Sequence, residues 1–150
     1  MKAVFLVVFW LVSWPVFSQS LFEQSVDCIK RYEGLHGREH HPYVGYGHRL
    51  MPGEHFDAGM NEYSADSLLR VDLLRRCALF REFGRDSLLL AVLAYNIGET
   101  RVRNSRLVKK LRSGDRDISS EYLSFRLIRG KVSPVLERRR REEYHLLYND

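Results

Sequence analysis

Residues 88–94 read Leu-Leu-Leu-Ala-Val-Leu-Ala, a run with no polar position on any side of a helix. Such a helix must be surrounded by other elements, because any exposed face would leave large apolar side chains in water. Ser87 and Gly98 bracket the segment, so it is too short to cross the roughly 30 Å core of a bilayer. The run therefore predicts a central helix, buried in a mainly helical protein.

Five further segments show helical periodicity or helix-end signals. The clearest is the first, with Ser20 as N-cap, an apolar stripe and Gly34 at the C-terminal end. The second is expected to start at Ser64 and to end at Gly84, with Tyr63 and Leu68 forming a hydrophobic staple. The others are expected at 105–113, at 118–128, and from Pro134 onward.

A short β element is expected between Pro42 and Leu50. Val44, Tyr46 and His48 alternate there with Gly45 and Gly47, which favours a hairpin. The predicted fold class is thus α+β and mainly helical, with a small β-hairpin lobe and a helical lobe around a cleft. Such a cleft is a natural binding place for a polymer.

Residues 1–18 have the layout of an export signal. Lys2 precedes an apolar stretch that continues to Phe17, and Val16 and Ser18 stand at positions −3 and −1 of a cleavage site. About 15 helical residues reach roughly 22 Å, short of a bilayer core. We therefore expect a signal at 1–18 and one domain at 19–150, in the periplasm or outside the cell. An uncleaved membrane anchor is the alternative.

The chain is mildly basic, with a formal net charge of +5, of which cleavage would remove only Lys2. A basic exported protein suits a polyanionic target such as a cell wall, and export argues against nucleic acid as the partner. We expect a monomer that has no stable membrane insertion after cleavage.

The two cysteines, Cys28 and Cys77, permit two interpretations. In an oxidising compartment they could form a disulfide, and in a helical core they could be two small buried side chains. No further ligands lie at suitable spacing, so no metal site is predicted.

Glu33 is the strongest catalytic candidate, because it ends the first helix just before Gly34. The negative end of the helix dipole favours a protonated carboxyl there, and partial burial beside Tyr32 and Leu35 adds to this effect. A protonated carboxyl is what a glycosidase needs to protonate its leaving oxygen. The alternative is a surface glutamate at a frayed helix end.

The residues around Glu33 resemble the signature of the phage-type lysozymes, glycoside hydrolase family 24. The matching strings, in order, are 32–35 (Tyr-Glu-Gly-Leu), 43–48 (Tyr-Val-Gly-Tyr-Gly-His), 94–99 (Ala-Tyr-Asn-Ile-Gly-Glu), 105–107 (Ser-Arg-Leu), 111–115 (Leu-Arg-Ser-Gly-Asp), 130–132 (Gly-Lys-Val), 134–136 (Pro-Val-Leu) and 138–140 (Arg-Arg-Arg). The resemblance implies a two-lobed fold, a muramidase that needs no cofactor, and peptidoglycan glycan strands as partner. It also implies cleavage of the β-1,4 bond between N-acetylmuramic acid and N-acetylglucosamine, with Glu33 as general acid.

The chain departs from this family directly after Glu33. The family carries an Asp and a Thr on the hairpin that position the attacking water, but residues 35–42 are shorter and contain no Asp, and Tyr43 replaces the Thr. Three outcomes stay open. Glu39 could be the base; His40 or His41 could hold or deprotonate the water; or the substrate's own 6-hydroxyl could attack, as in lytic transglycosylases. A wall-binding protein without turnover is the alternative from another class.

The C-terminal helix is expected to turn a cation inward. Residues 137–143 contain no apolar side chain, so at least one arginine must face the core and find a carboxylate there. We expect Arg139 or Arg140 to pair with Glu33.

Three polar residues near the expected cleft complete the candidate site. Tyr46 and His48 are hairpin packing residues or cleft-wall groups, with a structural role favoured for His48. Asn96, a polar residue at the end of an apolar helix, is expected to face the cleft and bind an N-acetyl group, with helix capping as its alternative.

Overall fold

The computed structural model describes residues 19–148, so the predicted export signal at 1–18 lies outside the described residues. Seven helices and four short strands follow one another within this range. In chain order they are α1 (Leu21–Glu33), β1 (Tyr43–Val44), β2 (His48–Arg49), α2 (Glu62–Leu79), α3 (Ser87–Ile97), α4 (Glu99–Arg103), α5 (Arg106–Arg112), α6 (Ser119–Leu123), β3 (Leu127–Ile128), β4 (Lys131–Val132) and α7 (Pro134–Leu147). Between 19 and 148, none of the helices combines the length and the apolar character needed to span a membrane.

The central buried helix is confirmed as α3. Its residues from Leu89 to Ala94 are buried without interruption, and it packs against α1, α2, α4 and α7. The apolar run thus fixes the middle of the core, and the other helices cover it.

The predicted ends of α1 and the start of α7 are also confirmed. Ser20 caps α1 by accepting a hydrogen bond from the backbone N–H of Glu23, and Gly34 ends it at φ +68°. Pro134 begins α7 in the first turn, where its missing N–H costs nothing, and Ser133 provides the cap. Both helices bring site residues together, so these caps set the positions of those residues.

The predicted start of α2 is wrong by two residues. Asn61 is the N-cap and its side chain accepts a hydrogen bond from the backbone N–H of Ser64. Tyr63 is 83% exposed, so it forms no staple with Leu68. The helix ends at Leu79, before Gly84, and a 3₁₀ segment (Arg81–Asp86) leads into α3.

The helix expected at 118–128 is correct only in its first half. After α6, strands β3 and β4 pair antiparallel around the two-residue turn Arg129-Gly130. Helix α4, which lies between α3 and α5, is not predicted from the sequence.

The first hairpin forms where the alternation predicts it. Strands β1 and β2 pair with Val44 opposite His48. Gly45 approaches α2 so closely that a Cβ there would stand 3.3 Å from the Cβ of Ala65. The hydroxyl of Tyr95 on α3 donates a 2.8 Å hydrogen bond to the carbonyl of Tyr46. These contacts fix the hairpin between α2 and α3, so the mainly helical α+β fold with a small hairpin lobe is confirmed.

The disulfide between Cys28 and Cys77 is not formed, and both thiols are free. Cys28 is buried on α1, where the nearby charged groups of Arg139, Glu142 and Glu143 come from α7. Cys77 lies near the end of α2. Burial, followed by the neighbouring carboxylates, raises the pKa of the Cys28 thiol to about 11. The two cysteines are therefore small packing side chains, the second of the two interpretations.

Candidate active site

A cavity of about 460 Å³ opens between the first hairpin, α2 and the end of α3. Three of the candidate residues line it: Tyr43, His48 and Asn96. Gly47 also lines it, at the turn that closes the hairpin.

Glu33 is not among the residues that line this cavity, but its carboxyl adjoins Gly47, which does. A Cβ on Gly47 would stand 3.5 Å from Oε2 of Glu33. Gly47 also has φ +92°, a conformation that glycine adopts without strain. The side chain of Glu33 is 20% exposed, so its carboxyl is mostly enclosed but reachable. A Cβ at this position would make only an ordinary contact with the carboxyl, so it is the backbone conformation that favours glycine here.

Arg139 reaches Glu33 from α7, at the opposite end of the chain. Its Nη1 donates a 2.8 Å hydrogen bond to Oε1 of Glu33, and its Nε donates another of 2.8 Å to Oε1 of Glu143. Burial works against the charge of Arg139, but Glu143 and Glu33 outweigh it and raise its pKa. Arg139 is therefore a buried cation shared between two carboxylates.

Arg140 belongs to the same network but does not contact Glu33 in it. Its Nη2 donates 3.1 Å to Oδ1 of Asn96 and 3.2 Å to Oε1 of Glu143. Asn96 therefore has its carbonyl oxygen occupied, and its NH₂ group is what remains for a ligand. Of the two arginines expected to pair with Glu33, Arg139 is the one that does so.

Glu143 connects the two arginines and was missed by the sequence analysis. It is completely buried and accepts a further 2.9 Å hydrogen bond from the hydroxyl of Tyr122. A signal for it was present, since it stands four residues after Arg139 and three after Arg140, on the same face of a helix. The expected need for a carboxylate beside an inward arginine applied to it as much as to Glu33.

His48 is held by two carboxylates on the cavity wall. Its Nδ1 lies 2.7 Å from Oδ2 of Asp72, and its Nε2 lies 3.0 Å from Oε2 of Glu54. Glu54 also accepts a hydrogen bond from the backbone N–H of Met51, and this bond, followed by His48, lowers the pKa of Glu54. This geometry agrees with a structural role for His48.

Asp72 and Glu54 were not among the predicted site residues. Asp72 is buried on the face of α2 that also carries Leu69 and Leu73. A carboxylate inside an apolar stripe was the available signal, because a buried charge requires a partner.

Tyr46 and Tyr43 lie in different environments, one in the core and the other at the surface. Tyr46 is buried in the core, and the ammonium of Lys30 lies 5.1 Å from its ring centroid. Tyr43 is exposed and lines the cavity. Tyr46 is therefore a packing residue of the hairpin, and Tyr43 is available to a ligand.

The structure does not bring Glu39 or His40 to the cavity. Both lie in a 3₁₀ turn (Arg38–His40), and none of the described residues lining the cavity comes from 34–42. The side chain of Glu39 is 73% exposed, and its Oε1 lies 3.1 Å from Nδ1 of His40. Glu39 also folds over Gly37, where a Cβ would stand 2.5 Å from its Oε2.

Across residues 19–148, no three His, Cys, Asp or Glu side chains are grouped as a metal ion would require. The cavity wall offers the amide of Asn96 and the hydroxyl of Tyr43, and the Glu33 carboxyl with its paired cation lies next to Gly47 of that wall. A carboxyl that a bound ligand can reach is able to donate a proton to it.

A helical lobe and a hairpin lobe, with a carboxyl at the end of the first helix beside the hairpin turn, define a protein of the lysozyme class. The chain belongs to the phage lysozyme family, whose model matches residues 30–143. It therefore falls among glycosidases that act on peptidoglycan.

Two solved structures are similar in fold. One is an endolysin from Escherichia coli O157:H7 phage FAHEc1, with 23% identity and a TM-score of 0.67; the match covers 86% of this chain and 93% of that one. The other is the muramidase domain of SpmX from Asticaccaulis excentricus, with 23% identity and a TM-score of 0.71, covering 89% and 100%. Comparison with curated proteins finds no match.

Proposed function

We propose that the protein is an exported muramidase that cleaves the β-1,4 bond between N-acetylmuramic acid and N-acetylglucosamine in peptidoglycan, with Glu33 as general acid. The observation that carries this proposal is the position of the Glu33 carboxyl, which is 20% exposed at the end of α1 and adjoins Gly47 of the cavity wall. Membership of the phage lysozyme family supports the substrate class.

In this proposal, the α7 network orients the carboxyl of Glu33. Arg139 holds one carboxyl oxygen, Oε1, by a 2.8 Å hydrogen bond, which leaves Oε2 beside Gly47. Glu143 competes for the same guanidinium, since Arg139 donates 2.8 Å hydrogen bonds to both carboxylates. Arg139 thus orients Glu33 while part of its charge is balanced elsewhere.

The NH₂ of Asn96 and the hydroxyl of Tyr43 are the proposed substrate contacts. Asn96 is fixed by Arg140 through its carbonyl oxygen, which turns its amide into an oriented donor for an N-acetyl oxygen. Tyr43 lines the cavity at the position where the family carries Thr. Its hydroxyl can donate and accept hydrogen bonds, so it can position a water.

A second candidate is lytic transglycosylation by Glu33 alone, in which the 6-hydroxyl of the substrate replaces water. The specific observation in its favour is that the other candidate carboxylates are each in contact with a histidine. Glu54 and Asp72 line the cavity but both contact His48, and Glu39 is turned toward His40. None of these three is free to activate water beside Glu33.

Mass spectrometry of the muropeptides released from purified peptidoglycan tests the proposal. A reducing muramic acid end supports hydrolysis, and a 1,6-anhydro end identifies transglycosylation. Glu33→Gln should reduce either activity by at least about a thousandfold and leave peptidoglycan binding intact. Glu39→Gln is the matched control, and we expect it to retain activity within about threefold. Binding without any product from the unchanged protein would overturn the proposal in favour of a wall-binding protein.

Export has its own test. We expect the protein recovered from outside the inner membrane to begin at Gln19, which intact-mass measurement would show. A recovered chain that keeps residues 1–18 would support the anchored alternative.

A further inference from the structure

The second hairpin, residues 127–132, leaves much of its apolar side chains exposed. Leu127, Ile128 and Val132 are each about half exposed, and Val135 on the adjoining first turn of α7 is 63% exposed. In the strand register, Leu127 stands opposite Val132, and Ile128 stands opposite Lys131. Both faces of the hairpin therefore carry large aliphatic groups toward solvent, which is unusual for a two-stranded element.

The same hairpin has a positive charge that nothing nearby neutralises. Residues 122–136 include three basic side chains and no Asp or Glu. Arg126 pairs with Glu137 at the base of the hairpin. Within residues 19–148, no ion pair with a carboxylate involves Arg129 or Lys131, and both are exposed. The tip is therefore cationic as well as apolar.

Arg129 occupies its place in the turn at a conformational cost. Arg129 and Gly130 have φ values of +50° and +78°, and no other described non-glycine residue has positive φ. A two-residue turn of this kind favours Asn-Gly, and an arginine in the left-handed region is strained by comparison. The turn therefore carries a cation where an uncharged Asn would fit the backbone better.

We propose that the 127–132 hairpin docks reversibly on the anionic headgroup layer of a lipid membrane. Arg129 and Lys131 contact the phosphates, while Leu127, Ile128 and Val132 enter the boundary with the acyl chains. Basic side chains beside exposed aliphatic groups are the combination that binds such an interface. A soluble or wall polyanion would be bound by the cations alone and would leave the aliphatic groups in water. The proposal does not depend on the glycosidase activity.

The test uses the chain that begins at Gln19, because residues 1–18 are apolar and could bind lipid themselves. The described core lies within 19–148, and matching circular dichroism and cooperative unfolding of the two chain lengths would verify that it folds. Both tryptophans, Trp10 and Trp14, are absent from this chain. Ile128→Trp then provides a single fluorescent reporter at the hairpin.

Vesicles with phosphatidylglycerol are compared with vesicles of pure phosphatidylcholine. We expect a blue shift of the reporter with the anionic vesicles only, and weaker binding at about 0.5 M salt. In the reporter-free protein, Arg129→Asn should lower vesicle binding about fivefold. Because it also removes the strained arginine, it should leave thermal stability equal or higher. Lys109→Gln, an exposed cation on α5, is the control for net charge.

The aliphatic groups are tested separately, by Leu127→Ser with Val132→Ser. We expect this double variant to lower binding tenfold or more while keeping the charge. Three results would overturn the proposal: no binding to anionic vesicles; an equal loss with Lys109→Gln, which indicates net charge alone; or full binding by the double variant. The last result, with equally tight binding to polyphosphate, would identify a polyanion site instead.

Discussion

Arg139 and Glu33 lie 106 positions apart in sequence and are joined by a 2.8 Å hydrogen bond from Nη1 to Oε1. The arginine side chain is 3% exposed, and it is also bonded to a second carboxylate, Glu143. The proposed acid is therefore positioned by a cation that is itself fixed from the other side. Each of these links can be changed separately.

Arg139→Met should lower kcat on peptidoglycan fragments by about tenfold or more. The variant removes the 2.8 Å hydrogen bond that orients the Glu33 carboxyl, so the acid is less often in its productive position. The measurement is kcat and KM on peptidoglycan fragments, with KM expected to change little. Arg138→Met is the control, since Arg138 is exposed on the same helix. An unchanged kcat for Arg139→Met would contradict the proposed positioning role.

Glu143→Gln should lower the free energy of unfolding by about 3–5 kcal/mol. It leaves two buried arginines with fewer compensating charges, and a buried cation without its partner is costly. Urea unfolding provides the measurement. Glu142→Gln is the matched control, because Glu142 is partly exposed and pairs with the exposed Arg31; we expect a loss below about 1 kcal/mol. Equal losses for the two variants would argue against a buried network.

Both cysteines should react with a thiol reagent in denaturant without prior reduction. In the native protein Cys28 should react far more slowly than in the unfolded chain, because it is buried and burial raises its pKa to about 11. Labelling followed by intact mass gives the count. If the unfolded chain gains two labels only after reduction, the result would support a disulfide between Cys28 and Cys77 instead.

Acid should destabilise the protein partly through Asp66. Burial opposes ionisation of Asp66, but hydrogen bonds from Arg70 and Lys30 outweigh it, so its pKa is lowered. A lowered folded pKa contributes stability that is present above the unfolded value of about 3.9 and is lost as pH falls through the folded value. Asp66→Asn should therefore be less stable at neutral pH, by about 1 kcal/mol after allowing for its partial exposure.

The diagnostic for Asp66 is the slope of unfolding free energy against pH. Between about pH 4 and 2, Asp66→Asn should lose less stability than the unchanged protein. Glu62→Gln, at an exposed position on the same helix, should leave the slope as it was. Parallel curves for the Asp66→Asn variant and the unchanged protein would show that the ion pairs with Lys30 and Arg70 contribute nothing to acid sensitivity.

The features predictable from sequence were those with a local physical cause. The cap at Ser20, the stop at Gly34 and the buried α3 each follow from a few adjacent residues. An inward arginine was predictable because residues 137–143 of α7 contain no apolar side chain, so a charged one must point toward the core. The packing of α7 on α1 decides which arginine reaches Glu33. It also decides that Glu143 shares that arginine.

Other features depended on tertiary contacts or on choices between near-equivalent signals. Asn61 and Ser64 are both residues that favour an N-cap. Only the structure shows that Asn61 caps α2, by accepting a hydrogen bond from the backbone N–H of Ser64. Leu127 and Ile128 look like a helix continuation because the turn that follows them lacks the usual Asn-Gly pair. The turn of Glu39 toward His40 is set by a loop whose conformation no periodicity describes.

The placement of α7 has a consequence for when the protein becomes competent. Glu33 leaves the ribosome more than a hundred residues before its partners Arg139 and Glu143. A nascent chain, or one truncated before α7, has the acid without the cation that orients it. The site is therefore completed only once α7 has been synthesised and has closed onto α1.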